Sequence, residues 1–110
     1  MSTLELDTLN LPSRYLATVK ALLRRHVPQA EVWAFGSRVT GGGHDASDLD
    51  LVVRHPTEPG TEISGLSGLR DAFSESDLPI RIDIVDWARI PANFRSEVER
   101  AHVVVQEGDE

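Results

Sequence analysis

Three aspartates are the residues of this chain best placed to do chemistry. Asp48 and Asp50 stand two apart, and Asp83 lies within Ile82-Asp83-Ile84. Along an extended strand successive side chains alternate, so residues two apart share a face. Leu49, Leu51 and Val53 then form one apolar face, with Asp48 and Asp50 on the other. Ile80, Ile82 and Ile84 likewise oppose Arg81, Asp83 and Val85. If both apolar faces cover one core, all three carboxylates project from the other side of the sheet. There they repel each other unless something positive joins them. Hard divalent cations with oxygen ligands are the natural partner, and Mg²⁺ is the common one beside phosphates. Carboxylates so spaced can share two cations roughly 3.5–4 Å apart, the geometry of in-line displacement at phosphorus. Asp86 competes for the third place. Its parity sets it with the isoleucine face near the strand end, where capping a turn is the better reading. An isolated Asp-Leu-Asp is more often a turn or a solvated strand edge, so the pattern needs a second feature.

Gly36-Ser37 supplies one. It follows a run of strand type, where a tight turn can aim backbone N–H groups at a phosphate. Ser37 adds a hydroxyl donor and Arg38 a charge. Gly41, Gly42 and Gly43 read as a flexible connector, because the Gly-Lys-Ser/Thr of a P-loop is missing, as is a dinucleotide fingerprint. His44 and His55 lack the neighbouring ligands of a zinc site and read as surface residues.

The elements that must position these residues are legible. Pro12 to His26 repeats apolar residues at helical spacing (Tyr15, Leu16, Val19, Leu22, Leu23), with Arg24, Arg25 and His26 in a last turn that favours positive charge. Glu31 to Phe35, Asp48 to Val53 and Ile80 to Val85 read as strands. Glu62 to Ser76 reads as a helix that Gly65 and Gly68 weaken at its start. Pro91 to Ala101 reads as a final helix with Phe94, Val98 and Ala101 inward, and Val103 to Val105 as a short edge strand. Trp33, Phe35 and Trp87 read as packing residues. Leu4, Leu6, Leu9 and Leu11 can dock on the domain or on a second protein. The order is that of a mixed α/β (α+β) domain. It predicts a small mixed sheet with helices on one face and the acids on the other. The expected organisation is a lead-in at 1–11, one domain at 12–106 and a tail at 107–110.

A chain of 110 residues holds one core. The absence of cysteine rules out thiol catalysis and Cys-ligated zinc, and fits a reducing compartment. No apolar run is long enough to span a membrane. Met1 to Asn10 carry acids without Lys or Arg, unlike a secretory signal, so cytoplasm is expected. The net charge of −7 argues against stable binding of nucleic acid through its phosphates, yet leaves room for a nucleotide arriving with a metal ion.

Gly36-Ser37-Arg38, Gly41, Ser47-Asp48-Leu49-Asp50-Leu51 and Ile82-Asp83-Ile84-Val85-Asp86 occur in that order. This series resembles the signature of the DNA polymerase β-like nucleotidyltransferase superfamily, and more narrowly its minimal nucleotidyltransferases. At Thr40 many members carry a second basic residue, a difference that bears on phosphate affinity. The resemblance implies a two-metal site on Asp48, Asp50 and Asp83, with ATP as donor held through Gly36, Ser37, Arg38 and Ser47. It implies transfer of AMP to a hydroxyl, and, because no acceptor domain is present, a second protein to receive it. In many such pairs the partner is a small helical HEPN-type toxin adenylylated on tyrosine by its antitoxin. Two other readings remain: an antitoxin that neutralises by contact alone, and a transferase acting on an antibiotic or another small molecule.

Overall fold

The computed structural model describes residues 3–41 and 48–108. A five-stranded mixed sheet runs through it in the order β1-β5-β2-β3-β4. The strands are β1 (Thr3–Leu4), β2 (Glu31–Phe35), β3 (Leu49–Arg54), β4 (Ile82–Asp86) and β5 (His102–Gln106). The helices are α1 (Ser13–His26), the single turn α2 (Ser37–Thr40), α3 (Leu66–Glu75) and α4 (Ala92–Arg100). β3 pairs antiparallel with β2 and parallel with β4, while β5 pairs antiparallel with β2 and parallel with β1.

Strand alternation divides the sheet into two unlike faces. Val32 and Ala34 of β2, Leu49, Leu51 and Val53 of β3, and Ile84 of β4 enter the main core beneath α1 and α3. Val19 and Leu23 of α1 and Leu69 and Phe73 of α3 meet them, as the helical spacing requires. Leu49 and Leu51 are fully buried, and truncating either to alanine costs about 2–5 kcal/mol. The opposite face carries the acids, and α4 covers the rest of it. There Val98 joins Trp33, Val52 and Trp87 in a second cluster with Phe35 and Phe94 packed alongside. Trp33 meets Trp87 edge to face at 5.3 Å and stacks on His102 at 4.0 Å. α4 therefore lies on the same side as the acids, apart from α1 and α3.

Two local expectations, for β5 and for the start of α3, need adjustment. β5 is an inner strand, not an edge, because β1 lies along its far side; Val103 and Val105 fill the main core and His102 the second cluster. α3 begins at Leu66, since Gly65 takes a left-handed φ of 93° against the end of α1, where a Cβ would sit 2.8 Å from the His26 carbonyl oxygen. The lead-in docks on this domain: Leu9 is buried, and Leu4, Leu6 and Leu11 pack against the main core.

His102 is the titrating group most enclosed by this packing. Burial pushes its pKa below the ordinary histidine value, outweighing backbone hydrogen bonds at Val98 and Glu99 and the charges of Glu31 and Glu99. A lowered folded pKa favours the neutral ring. The stabilisation is full above the unfolded value of about 6.5 and is lost as pH falls through it toward the folded value. Urea denaturation should show stability falling between pH 7.5 and pH 5.5, and His102→Phe, which keeps the stacked ring, should flatten that slope. An unchanged slope would place the acid sensitivity elsewhere.

Candidate active site

The parallel pairing of β3 with β4 sets Asp50 directly beside Asp83. Their neighbours Leu49, Leu51 and Ile84 turn into the core, so both carboxylates project from the other face. Asp48 is exposed and immediately precedes β3. Leu49 pairs with Ile82 and donates its N–H to the Arg81 carbonyl at 2.9 Å, so the register sets Asp48 level with Arg81. Asp48, Asp50, Arg81 and Asp83 thus occupy the corners of one small patch.

Gly36 closes it from above. Phe35, the last residue of β2, pairs with Asp50, and the chain then bends at Gly36 with φ 82°. A Cβ there would lie 2.6 Å from Asp50 Oδ2. Only glycine lets the backbone pass this close to the carboxylate while adopting a positive φ. The bend opens α2, whose Val39 and Thr40 N–H groups both donate to the Gly36 carbonyl, at 2.9 and 3.0 Å. Ser37 and Thr40 line a cleft against Phe94, Glu97 and Arg100 of α4. A larger open cavity of about 810 Å³ lies beside it, lined by Asp50, Asp83, Arg70 and Arg81. Phe35 and Phe94 line both spaces and meet edge to face at 5.6 Å.

The electrostatics are those of an undercompensated anionic patch. The Asp50 carboxyl is held above the usual aspartate range, first by burial and then by repulsion from Asp83 and Asp48. Asp83 accepts from Arg81 Nε at 3.1 Å. All three groups offer anionic oxygen, which suits a hard divalent ion. Among the described residues no three His, Asp or Glu side chains already form a ready metal cage. Asp83 engages Arg81 through Oδ1 alone.

Of the other residues singled out by sequence, Gly36 lies against Asp50 and Ser37 lines the cleft beside α4. Arg38 is placed differently: it is 3% exposed, and its Nη1 donates to the Asn10 carbonyl at 2.6 Å. Asn10 N–H in turn donates to the Arg38 carbonyl at 2.8 Å. Arg38 therefore ties the N-terminal segment to α2, where it was expected to bring charge to a phosphate. Ser47 and His44 lie outside the described residues. His55 accepts turn N–H groups from Thr57 and Glu58. Asp86 is buried and accepts from Ile63 N–H at 2.9 Å and Ala88 N–H at 3.0 Å, which makes it a structural cap. Sequence reasoning did not single out Arg70, Arg81 or Phe94. Arg81 carries a signal, since it shares strand parity with Asp83. Arg70 and Phe94 carry none, because only the tertiary fold brings α3 and α4 to this place.

A raised folded pKa means that the Asp50 charge costs stability at neutral pH, a cost removed as pH falls through the folded value. With a chelator present at pH 7.5, Asp50→Asn should melt a few degrees above the unsubstituted protein, and the gap should narrow on acidification. A lower melting point at pH 7.5 would show that Asp50 is not repelled.

Residues 16–107 match the profile of the nucleotidyltransferase domain. Over 99 residues the chain is 44% identical to the probable protein adenylyltransferase MntA of Haemophilus influenzae (strain ATCC 51907 / DSM 11121 / KW20 / Rd), covering 90% of this chain and 85% of that protein. A crystal structure described as a toxin-antitoxin with AMP-PNP superposes with a TM-score of 0.66 at 21% identity, covering 86% of this chain and 74% of that one, and so shares the fold. No helix among the described residues is long and apolar enough to cross a membrane. The profile match over most of the chain and the 44% identity to that relative show that the chain belongs to the nucleotidyltransferase domain family, among its minimal nucleotidyltransferases.

Proposed function

We propose that this nucleotidyltransferase moves AMP from ATP to a hydroxyl on a protein partner, and that the partner is a helical HEPN-type toxin which the modification silences. The observation that carries the chemistry is the register of Asp50 with Asp83 beneath Gly36. The name of the MntA relative supports a protein acceptor. The toxin-antitoxin named for the fold neighbour supports the pairing, and its AMP-PNP supports an adenine nucleotide. The open cavity beside Asp83 leaves room for a side chain presented from outside.

In the proposed reaction the acceptor oxygen attacks the α-phosphorus. An O–P bond forms, the bond from that phosphorus to the bridging oxygen breaks, and pyrophosphate leaves with the electron pair. Two Mg²⁺ ions, when bound, supply charge neutralisation at the transferring phosphoryl group. Asp48, Asp50 and Asp83 would be the residues that hold them. Asp83, which lines the larger cavity, takes up the proton of the acceptor hydroxyl. The Ser37 hydroxyl and the N–H groups of the bend bind the β- and γ-phosphates. Gly36 keeps the backbone low over Asp50, so triphosphate and carboxylate meet without an intervening side chain. Arg38 works at a distance by fixing α2 to the N-terminal segment.

The test is transfer of label from α-³²P-ATP, with Mg²⁺, to the purified product of the adjacent reading frame, followed by mass spectrometry of that product. Covalent AMP should appear. Asp48→Asn, Asp50→Asn and Asp83→Asn should each lower the rate by about 10²-fold or more, as expected when groups that neutralise the reacting phosphate are removed. Asp86→Asn should act mainly on stability, because it removes a buried cap. Transfer that survives Asp50→Asn would contradict the mechanism. Full neutralisation of the partner by the Asp48→Asn, Asp50→Asn double variant would establish inhibition by contact instead.

A further inference from the structure

Arg81 occupies the fourth corner of the acidic patch, level with Asp48 across the strand pair and two residues before Asp83. Its Nε donates to Asp83 Oδ1 at 3.1 Å. Its terminal nitrogens make no hydrogen bond among the described residues, and its side chain is 76% exposed. Of the other arginines lining the two spaces, Arg70 donates to the Ile84 carbonyl at 3.0 Å, and Arg100 stands 4.0 Å from Glu97 on α4. Among the described residues Arg81 is thus the one cation held by Asp83, through a single exposed contact and on a side chain long enough to leave it.

We propose that Arg81 is an exchangeable counter-ion. It neutralises Asp83 while the site holds no metal, and passes to the phosphates of the donor nucleotide once divalent ions take the carboxylates. This rests on the reading of Asp48, Asp50 and Asp83 as the metal-holding set. Three carboxylates carry three negative charges, and two divalent ions bring four positive ones, so the field around Asp83 changes sign on loading. A guanidinium that was attracted there is then repelled, while the triphosphate beside it attracts it. An exposed Arg–carboxylate pair is weak enough to break readily. The planar guanidinium fork matches a phosphate better than a lysine would. The exchange makes the ion and the nucleotide favour each other. Metal alone must displace Arg81 without return, whereas metal with nucleotide gives the arginine a new partner.

Isothermal titration of the full chain tests this with two probes: Mn²⁺ alone, and the Mg²⁺ complex of α,β-methylene-ATP. Arg81→Gln should bind Mn²⁺ about threefold to tenfold more tightly than the unsubstituted protein and the nucleotide complex about tenfold more weakly, opposite shifts that a general loss of structure would not produce. Arg89→Gln, which removes an exposed arginine paired with Glu62 away from the patch, should change neither. If the unsubstituted protein binds both probes and Arg81→Gln matches it in either titration, the exchange is wrong while the metal site stands. If the unsubstituted protein binds neither probe, the site reading itself falls and takes the exchange with it.

Discussion

The lateral alignment of two like charges governs this molecule. The parallel register of β3 and β4 sets Asp50 beside Asp83, with Asp48 a step away at the strand entrance. Burial and mutual repulsion hold Asp50 above the usual aspartate range. A slip of β4 by one residue would relieve the repulsion, but it would turn Ile82 and Ile84 out of the core and the polar side chains in. The hydrophobic face therefore enforces an electrostatic arrangement that is unfavourable by itself. An arrangement of that kind suits a site whose missing charge arrives with its ligand.

The surroundings keep the patch in shape and leave one side open. Gly36 lies against Asp50 with no room for a Cβ, and the turn of α2 that follows is anchored through Arg38 to the N-terminal segment. Leu9 docks that segment into the main core. On the acidic face α4 supplies Phe94 and Val98, and the Trp33, Trp87 and His102 stack fills the space farther from the acids. The open side of the patch is the cavity lined by Asp50, Asp83, Arg70 and Arg81.

Much of this was legible from local pattern. The alternation of Leu49, Leu51 and Val53 with Asp48 and Asp50, and of Ile82 and Ile84 with Asp83, already determines which face each carboxylate takes. Gly36-Ser37 after a strand marks the bend, and Asp86 reads as a cap from parity alone. What escaped depends on tertiary neighbours. Arg38 looks like a phosphate ligand by its place after Gly-Ser, but whether it meets solvent or Asn10 depends on a segment almost thirty residues away in sequence. β5 reads as an edge because its outer neighbour is only the two-residue Thr3–Leu4, too short to announce itself. Helical periodicity gives α4 an apolar side but does not say which face of the sheet it covers, so the place of Phe94 beside Asp50 emerges only from the fold.

The most direct test of the central claim is anomalous scattering from crystals soaked with Mn²⁺ and α,β-methylene-ATP. Two manganese peaks should lie between the carboxylates of Asp48, Asp50 and Asp83 and the triphosphate, with the terminal phosphates against Ser37 beneath the Gly36 bend. Nucleotide bound elsewhere, or bound there with no manganese on Asp50, would contradict the account.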